Sequence, residues 1–129
     1  MLFCISRDCV DSAESQQRLR QLEVPIVNWD QCYGMHVYFH VSLTRNMLCA
    51  GHLSAGTDPC EGDSGGPLVC KQGGNYYQYG VVSFLVKVPW STNLCANQNS
   101  PLVYASVYQY LSWIQQQTGG QLLYVISTA

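Results

Sequence analysis

The sequence predicts an all-β domain built from antiparallel strands. Three observations point there. Apolar residues fall in short runs and alternations rather than in long helical periods, glycine and proline recur at short intervals, and the chain holds nine tyrosines, which favour strands. The 129 residues suit a single domain and are enough to bury about two thirds of the unfolded surface. Charged residues make up 11% and the formal net charge is −2, with no basic patch, so no nucleic-acid partner is expected. No apolar run approaches the ~20 residues of a membrane-spanning helix, so no membrane span is expected.

The elements follow in order. Residues 1–10, MLFCISRDCV, are too short and too polar for a secretory signal, so a secreted protein would carry its signal upstream. Residues 11–21, DSAESQQRLRQ, are polar with good helix formers and read as a short exposed helix or a loop. Leu22, Val24 and Ile26 then alternate with Glu23 and Pro25, a strand signal in which Pro25 demands an edge position. Asn28 to Gln31 reads as a turn whose Asn or Asp caps a short helix toward Cys32. Residues 46–50, NMLCA, are a short apolar run, and Gly51 to Gly66 is loop. Pro67 to Cys70 is a brief strand, Gly73-Gly74-Asn75 a hairpin turn, and Tyr76 to Val86 a long strand. Trp90 to Ser100 is loop, and Leu102 to Ala105 a further strand. The convincing helix comes near the end: Val107, Tyr110, Leu111 and Ile114 make one apolar face, with Ser106 as N-cap and Gly119-Gly120 as the stop. The tail, QLLYVISTA, is apolar but short.

Seven cysteines are scattered at positions 4, 9, 32, 49, 60, 70 and 95, and none forms a C-x-x-C pair. That pattern reads as a disulfide framework in an oxidising compartment, with no metal site and no cofactor expected. An odd count leaves at least one thiol unpaired within the chain. The histidines are equally scattered. His36 and His40 are four apart, but H-V-Y-F-H lacks the glutamate of a metalloprotease helix, and a loop or strand with two surface histidines is expected.

The chemistry concentrates in EGDSGGPLVC, residues 61–70. A serine hydroxyl is a weak nucleophile; it needs a base to take its proton and dipoles to hold the oxyanion that forms. Glycine at 62 lets a backbone N–H approach a bound carbonyl with no Cβ in the way. Gly65 and Gly66 allow a tight bend, and Asp63 is a candidate buried charge needing a cationic partner. The plain alternative is an ordinary glycine-rich turn, but chance would produce this hexapeptide about once in 10⁵ chains of this length.

Gly62-Asp63-Ser64-Gly65-Gly66-Pro67 resembles the nucleophile motif of the trypsin-like, chymotrypsin-fold serine proteases. Val24-Pro25-Ile26-Val27 with Cys32, the segment Asn46 to Gly51, the spacing Asp58-x-Cys60-x-Gly62, Pro101-Leu102-Val103-Tyr104 and Ser112-Trp113-Ile114 are similar to further family segments. The resemblance covers about residues 22–118 and corresponds to the family's C-terminal half. It implies a six-stranded antiparallel Greek-key β-barrel with a C-terminal helix, one peptidase-domain fragment over 1–129. Ser64 would be the nucleophile, the N–H groups of Gly62 and Ser64 the oxyanion hole, and Asp63 the partner of an activation-generated amino terminus. Asp58 would lie at the pocket floor, facing Arg or Lys side chains. Ser83 and Phe84 would pair with substrate backbone, Phe84 replacing the family's Trp. Leu85 and Leu102 stand where open pockets keep glycine, which would narrow this one. The implied disulfides are Cys32–Cys49, Cys60–Cys95, and Cys70 with Cys4 or, second, Cys9.

The family's base and its orienting acid lie in motifs resembling A-A-H-C and D-I-A-L, and neither occurs in these residues. His52 matches no catalytic position. The expectation is therefore a secreted serine endopeptidase half acting through an acyl-enzyme at Ser64, inactive alone, whose partners are protein or peptide substrates or inhibitors and an N-terminal protease half. The rival expectation is a non-catalytic protease-like binding module or a truncated form.

Overall fold

The computed structural model describes residues 2–6, 20–38, 40–51, 64–85 and 101–120. Within them lie seven strands: β1 (Leu2–Ser6), β2 (Arg20–Val24), β3 (Ile26–Val27), β4 (Met47–Ala50), β5 (Pro67–Gln72), β6 (Asn75–Phe84) and β7 (Leu102–Ser106). Two α-helices, α1 (Trp29–Tyr38) and α2 (Leu111–Thr118), accompany them, the second preceded by a 3-10 turn at Tyr108–Tyr110. The strands form one antiparallel sheet in the order β2-β1-β5-β6-β7-β4-β3.

An antiparallel, predominantly β architecture with a short C-terminal helix is the expected class. The six strands expected are found once β2 and β3, separated by one residue, are read as one interrupted strand that pairs with β1 and with β4; the ladder itself ends at β2 and β3 without closing. Pro25 is the single residue between β2 and β3. Proline has no N–H to donate and breaks the ladder where one strand would otherwise serve both edges. Its carbonyl still accepts from the Gly51 N–H at 3.0 Å, which extends the β3–β4 pairing by one bond.

Strand periodicity sorts the apolar residues onto two faces. Leu102 and Tyr104 of β7 join Val24, Ala50, Leu68 and Val82 in one buried cluster on one face. Val103, between them, joins Val27, Cys32, Leu43 and Cys49 in a second cluster. β7 is therefore buried on both faces, which explains its unbroken apolar run. Gly80 is required by the first cluster: a Cβ there would lie 3.0 Å from Tyr104 Cβ and 3.3 Å from Leu68 Cδ2. The β5–β6 hairpin turns through Gly73 and Gly74 at φ 56° and 85°, between paired Gln72 and Asn75, the all-positive geometry of a two-residue hairpin.

α1 is longer than the short helix expected. Asn28 caps it, its Oδ1 accepting from the N–H groups of Asp30 at 3.0 Å and Gln31 at 3.3 Å. At the other end the His40 N–H donates to the Val37 carbonyl and the Val41 N–H to the His36 carbonyl, both at 2.9 Å. This is a Schellman stop with His40 at the left-handed position, φ 60°. The expectation of two surface histidines in a loop or strand is thus corrected: His36 is a buried helical residue and His40 an exposed helix stop.

β1 had no expected counterpart, and β2 begins at Arg20, two residues before the expected alternation. The long strand expected from Tyr76 is β6, starting at Asn75 and ending its ladder at Phe84. The C-terminal helix also differs at its start. Ser106 ends β7, its N–H donating to the Asn46 carbonyl at 2.8 Å, so it does not cap a helix. Gly119 stops α2 as expected, in the left-handed conformation at φ 66°. The readings for residues 11–19, 52–63, 86–100 and 121–129 lie outside the described residues.

Candidate active site

Ser64 begins the turn that feeds β5, and it is exposed. Gly65 follows at φ 87°, a left-handed conformation that L side chains rarely adopt, although space at its Cβ position is open. Backbone geometry, not crowding, therefore demands glycine there. Two hydrogen bonds then hold the turn against β6. The Gly65 N–H donates to the Val82 carbonyl and the Val82 N–H donates to the Gly66 carbonyl, each at 2.9 Å. Immediately after, Pro67 pairs with Val81 and the β5–β6 ladder begins. The nucleophile candidate is fixed by its backbone to a central strand of the sheet.

The same strand carries the expected substrate-pairing segment. The β6–β7 register shifts between Val82 and Phe84, leaving Ser83 as the extra residue of a bulge. Ser83 is exposed, one residue beyond the strand position that holds the Ser64 turn. Phe84 and Leu85 part to opposite sides. Phe84 packs against the helix-side cluster and Leu85 against the sheet cluster. The structure thus ties the two residues that follow Ser64 to Val82, the residue before Ser83. Leu102 is 2% exposed and packed in the sheet cluster with Val24, Ala50, Leu68, Val82 and Tyr104. Gly62, Asp63, Asp58, Cys60 and Cys95 lie outside the described residues.

The disulfide Cys32–Cys49 is present and joins α1 to β4 across 17 positions. Cys70 on β5 is a free, half-buried thiol, which corrects the expectation that it pairs with Cys4. The register gives the reason. Cys4 stands opposite Leu68, while Cys70 stands opposite Leu2. Diagonal neighbours across strands lie about 7–8 Å apart, beyond the usual span of a disulfide.

Sequence reading missed the surroundings of His36. Its Nδ1 donates to the Cys32 carbonyl at 2.8 Å and lies 3.4 Å from Cys32 Sγ. The ring meets Phe84 edge-on, with centroids 6.5 Å apart. His36 therefore stands behind the segment expected to pair with substrate. The signal was available in the spacing Cys32-x-x-x-His36 once Asn28 is taken as the cap, since residues four apart share one helix face. On the outer side of α1, Trp29 stacks on Tyr33 at 5.0 Å, and the Arg45 guanidinium sits 3.7 Å above the Trp29 ring. The Trp29 indole N–H donates to the Thr44 carbonyl at 3.3 Å, which pins the segment after α1.

Comparison with known proteins agrees with this geometry. The family model described as Trypsin matches residues 6–114. Over 100 residues the chain is 41% identical to an ovochymase of Halocynthia roretzi, a match covering 76% of this chain and 6% of that protein. It is 42% identical over 103 residues to coagulation factor XII of Rattus norvegicus, covering 78% of this chain and 16% of that one. To transmembrane protease serine 5 of Homo sapiens it is 41% identical over 109 residues, covering 84% and 22%. The chain spans less than a quarter of the length of each of these relatives. With a family match across most of its length, an antiparallel sheet ending in a short helix, and a serine turn fixed to the central strand, the chain belongs to the trypsin family of serine proteases.

Proposed function

We propose that this chain supplies the nucleophile half of a secreted serine endopeptidase. The observation that carries the reading is the Ser64-Gly65-Gly66 turn, held by two backbone hydrogen bonds to Val82 with Ser64 exposed and Ser83 bulging beside it. Ser64 attacks the scissile carbonyl of a protein or peptide, and the N–H groups of Gly62 and Ser64 receive the oxyanion. Asp58 sets a preference for cationic side chains, and Leu85 limits the pocket. Ser83 pairs with the substrate backbone from its exposed bulge. The Cys32–Cys49 disulfide supports an oxidising, extracellular setting.

Activity in this reading requires a base and its orienting acid from an N-terminal half. In subtilisin, loss of the histidine alone costs about 10⁶ in turnover. The isolated chain is accordingly expected to hydrolyse peptides at no measurable rate. A fluorophosphonate probe separates the possibilities. Joining the chain to an upstream half that carries His and Asp motifs should produce rapid labelling that Ser64→Ala abolishes. Equally rapid labelling of the isolated chain would overturn its inactivity alone. Failure to label in the joined protein would overturn the assignment of Ser64 and leave the non-catalytic binding module as the better reading.

A further inference from the structure

We propose that His36 is a positioning residue: acting through Phe84 it sets the pose of Ser83, and so decides how well extended peptides are taken relative to small esters, a role that rests on the endopeptidase reading of Ser64. The segment from Val82 to Phe84 is held at its two flanks. Val82 donates to the Gly66 carbonyl and accepts from the Gly65 N–H, each at 2.9 Å, so it is tied to the serine turn. Phe84 packs on the helix-side cluster and meets the His36 ring edge-on, with centroids 6.5 Å apart and planes at 86°. In the β6–β7 ladder Val82 stands opposite Tyr104 and Phe84 opposite Val103, and Ser83 between them is the extra residue of the bulge. Such a residue has no ladder partner of its own, so its backbone is left for other use. The pose of Ser83 therefore follows from an anchor on each side, the serine turn before it and α1 after it.

His36 is held as an anchor must be. It is 1% exposed, on a helix whose ends are fixed by the Asn28 cap and the His40 stop. Cys32, one turn earlier, ties the same helix to β4 through its bond to Cys49. The ring itself is oriented by one hydrogen bond. Nδ1 donates to the Cys32 carbonyl at 2.8 Å, while Nε2 makes none among the described residues. Rotation about χ2 is otherwise broad for an imidazole, so this bond selects the ring plane. An edge-on aromatic pair depends on the relative orientation of its rings, and fixing one constrains the other. Leucine at position 36 would fill much of the same space and supply neither the ring nor its orientation.

The substrate chemistry follows from what an exposed bulge backbone can pair with. An extended peptide lies along a strand through its own amide groups. A small ester such as p-nitrophenyl acetate has no amide group and reacts without that support. A displaced Ser83 thus penalises the peptide and spares the ester. A misplacement of about 1 Å in a positioning group can cost ~10²-fold in rate, so a contact one layer behind the site is enough to matter.

The test uses the chain joined to its upstream half, with a tetrapeptide p-nitroanilide ending in arginine and with p-nitrophenyl acetate. His36→Leu should lower kcat/KM for the peptide by about tenfold and change that for the ester by no more than roughly threefold. His36→Phe, which returns a ring to the contact, should recover most of the loss. Phe84→Leu breaks the contact from the other side and should lower the peptide-to-ester ratio by a similar factor, and the double variant should lower it no further. An equal fall for both substrates would show a merely structural role and overturn the proposal, as would an unchanged ratio, additive losses in the double variant, or no recovery with phenylalanine. A second measurement does not depend on catalysis. With Ser64→Ala in the joined protein, the corresponding tetrapeptide amide should bind about tenfold more weakly after His36→Leu and recover with His36→Phe. If the fluorophosphonate fails to label the joined protein, the nucleophile reading falls and this binding series still decides the role of His36: unchanged binding, or none at all, overturns it.

Discussion

The two buried clusters share a sheet but are assembled differently. The sheet cluster draws Val24, Ala50, Leu68, Val82, Leu102 and Tyr104 from five strands, whose positions range from residue 24 to residue 104. The helix-side cluster takes Val27, Cys32, Leu43 and Cys49 from one stretch of the chain and adds Val103 from β7. The first exists only when distant segments meet, so it carries the cooperativity of the fold and makes it depend on long-range pairing. The second is largely local, and a disulfide ties it. The serine turn hangs on the first through Val82, and Phe84 leans on the second. Placement of the candidate nucleophile and support of the substrate-pairing segment are thus separable.

The sharpest way to break this distinction is to empty each cluster in turn. Leu68→Ala removes a fully buried side chain at the centre of the sheet cluster and is expected to cost about 4 kcal/mol, read as a lower urea midpoint at constant slope. A loss below about 1 kcal/mol would mean that the sheet cluster does not carry the fold.

On the helix side, the Cys32→Ala/Cys49→Ala pair opens a 17-residue separation and is expected to cost about 3 kcal/mol. Backbone amide exchange should rise first in α1 and least in β5 and β6. Uniform loss of protection would show that the two clusters behave as one.

Asn28→Ala removes the carboxamide that satisfies two helix N–H groups and should cost about 1 kcal/mol in thermal unfolding. The smallest effect has the opposite sign. His40→Gly relieves a non-glycine residue at φ 60° and should gain about 0.5 kcal/mol, the relief being partly offset by the entropy of the unfolded glycine. An unchanged midpoint there would mean that the His40 side chain makes a compensating contact.

Much of the fold was legible because it rests on local rules. The Gly73-Gly74 hairpin, the Asn28 cap and the Gly119 stop are each dictated by nearest neighbours. The serine turn was legible for the same reason, since only glycine takes the backbone angle at position 65 at little cost. β1 was not legible. Its five residues, LFCIS, are a strand because β2 and β5 flank them, and no local pattern announces those partners.

Taken alone, the sequence determined the family, the nucleophile candidate, the antiparallel β class and the Cys32–Cys49 expectation. Tertiary structure decided three further matters. It turned His36 from an expected surface residue into a buried neighbour of the disulfide and of Phe84. It set Cys70 two positions out of register with Cys4 and so left its thiol free. It placed Leu102 in the core and Ser83 on a bulge beside the serine turn. The physical reason is common to all three: strand register and helix docking are fixed by contacts between segments far apart in the chain, and a shift of one residue reverses the face on which a strand side chain appears.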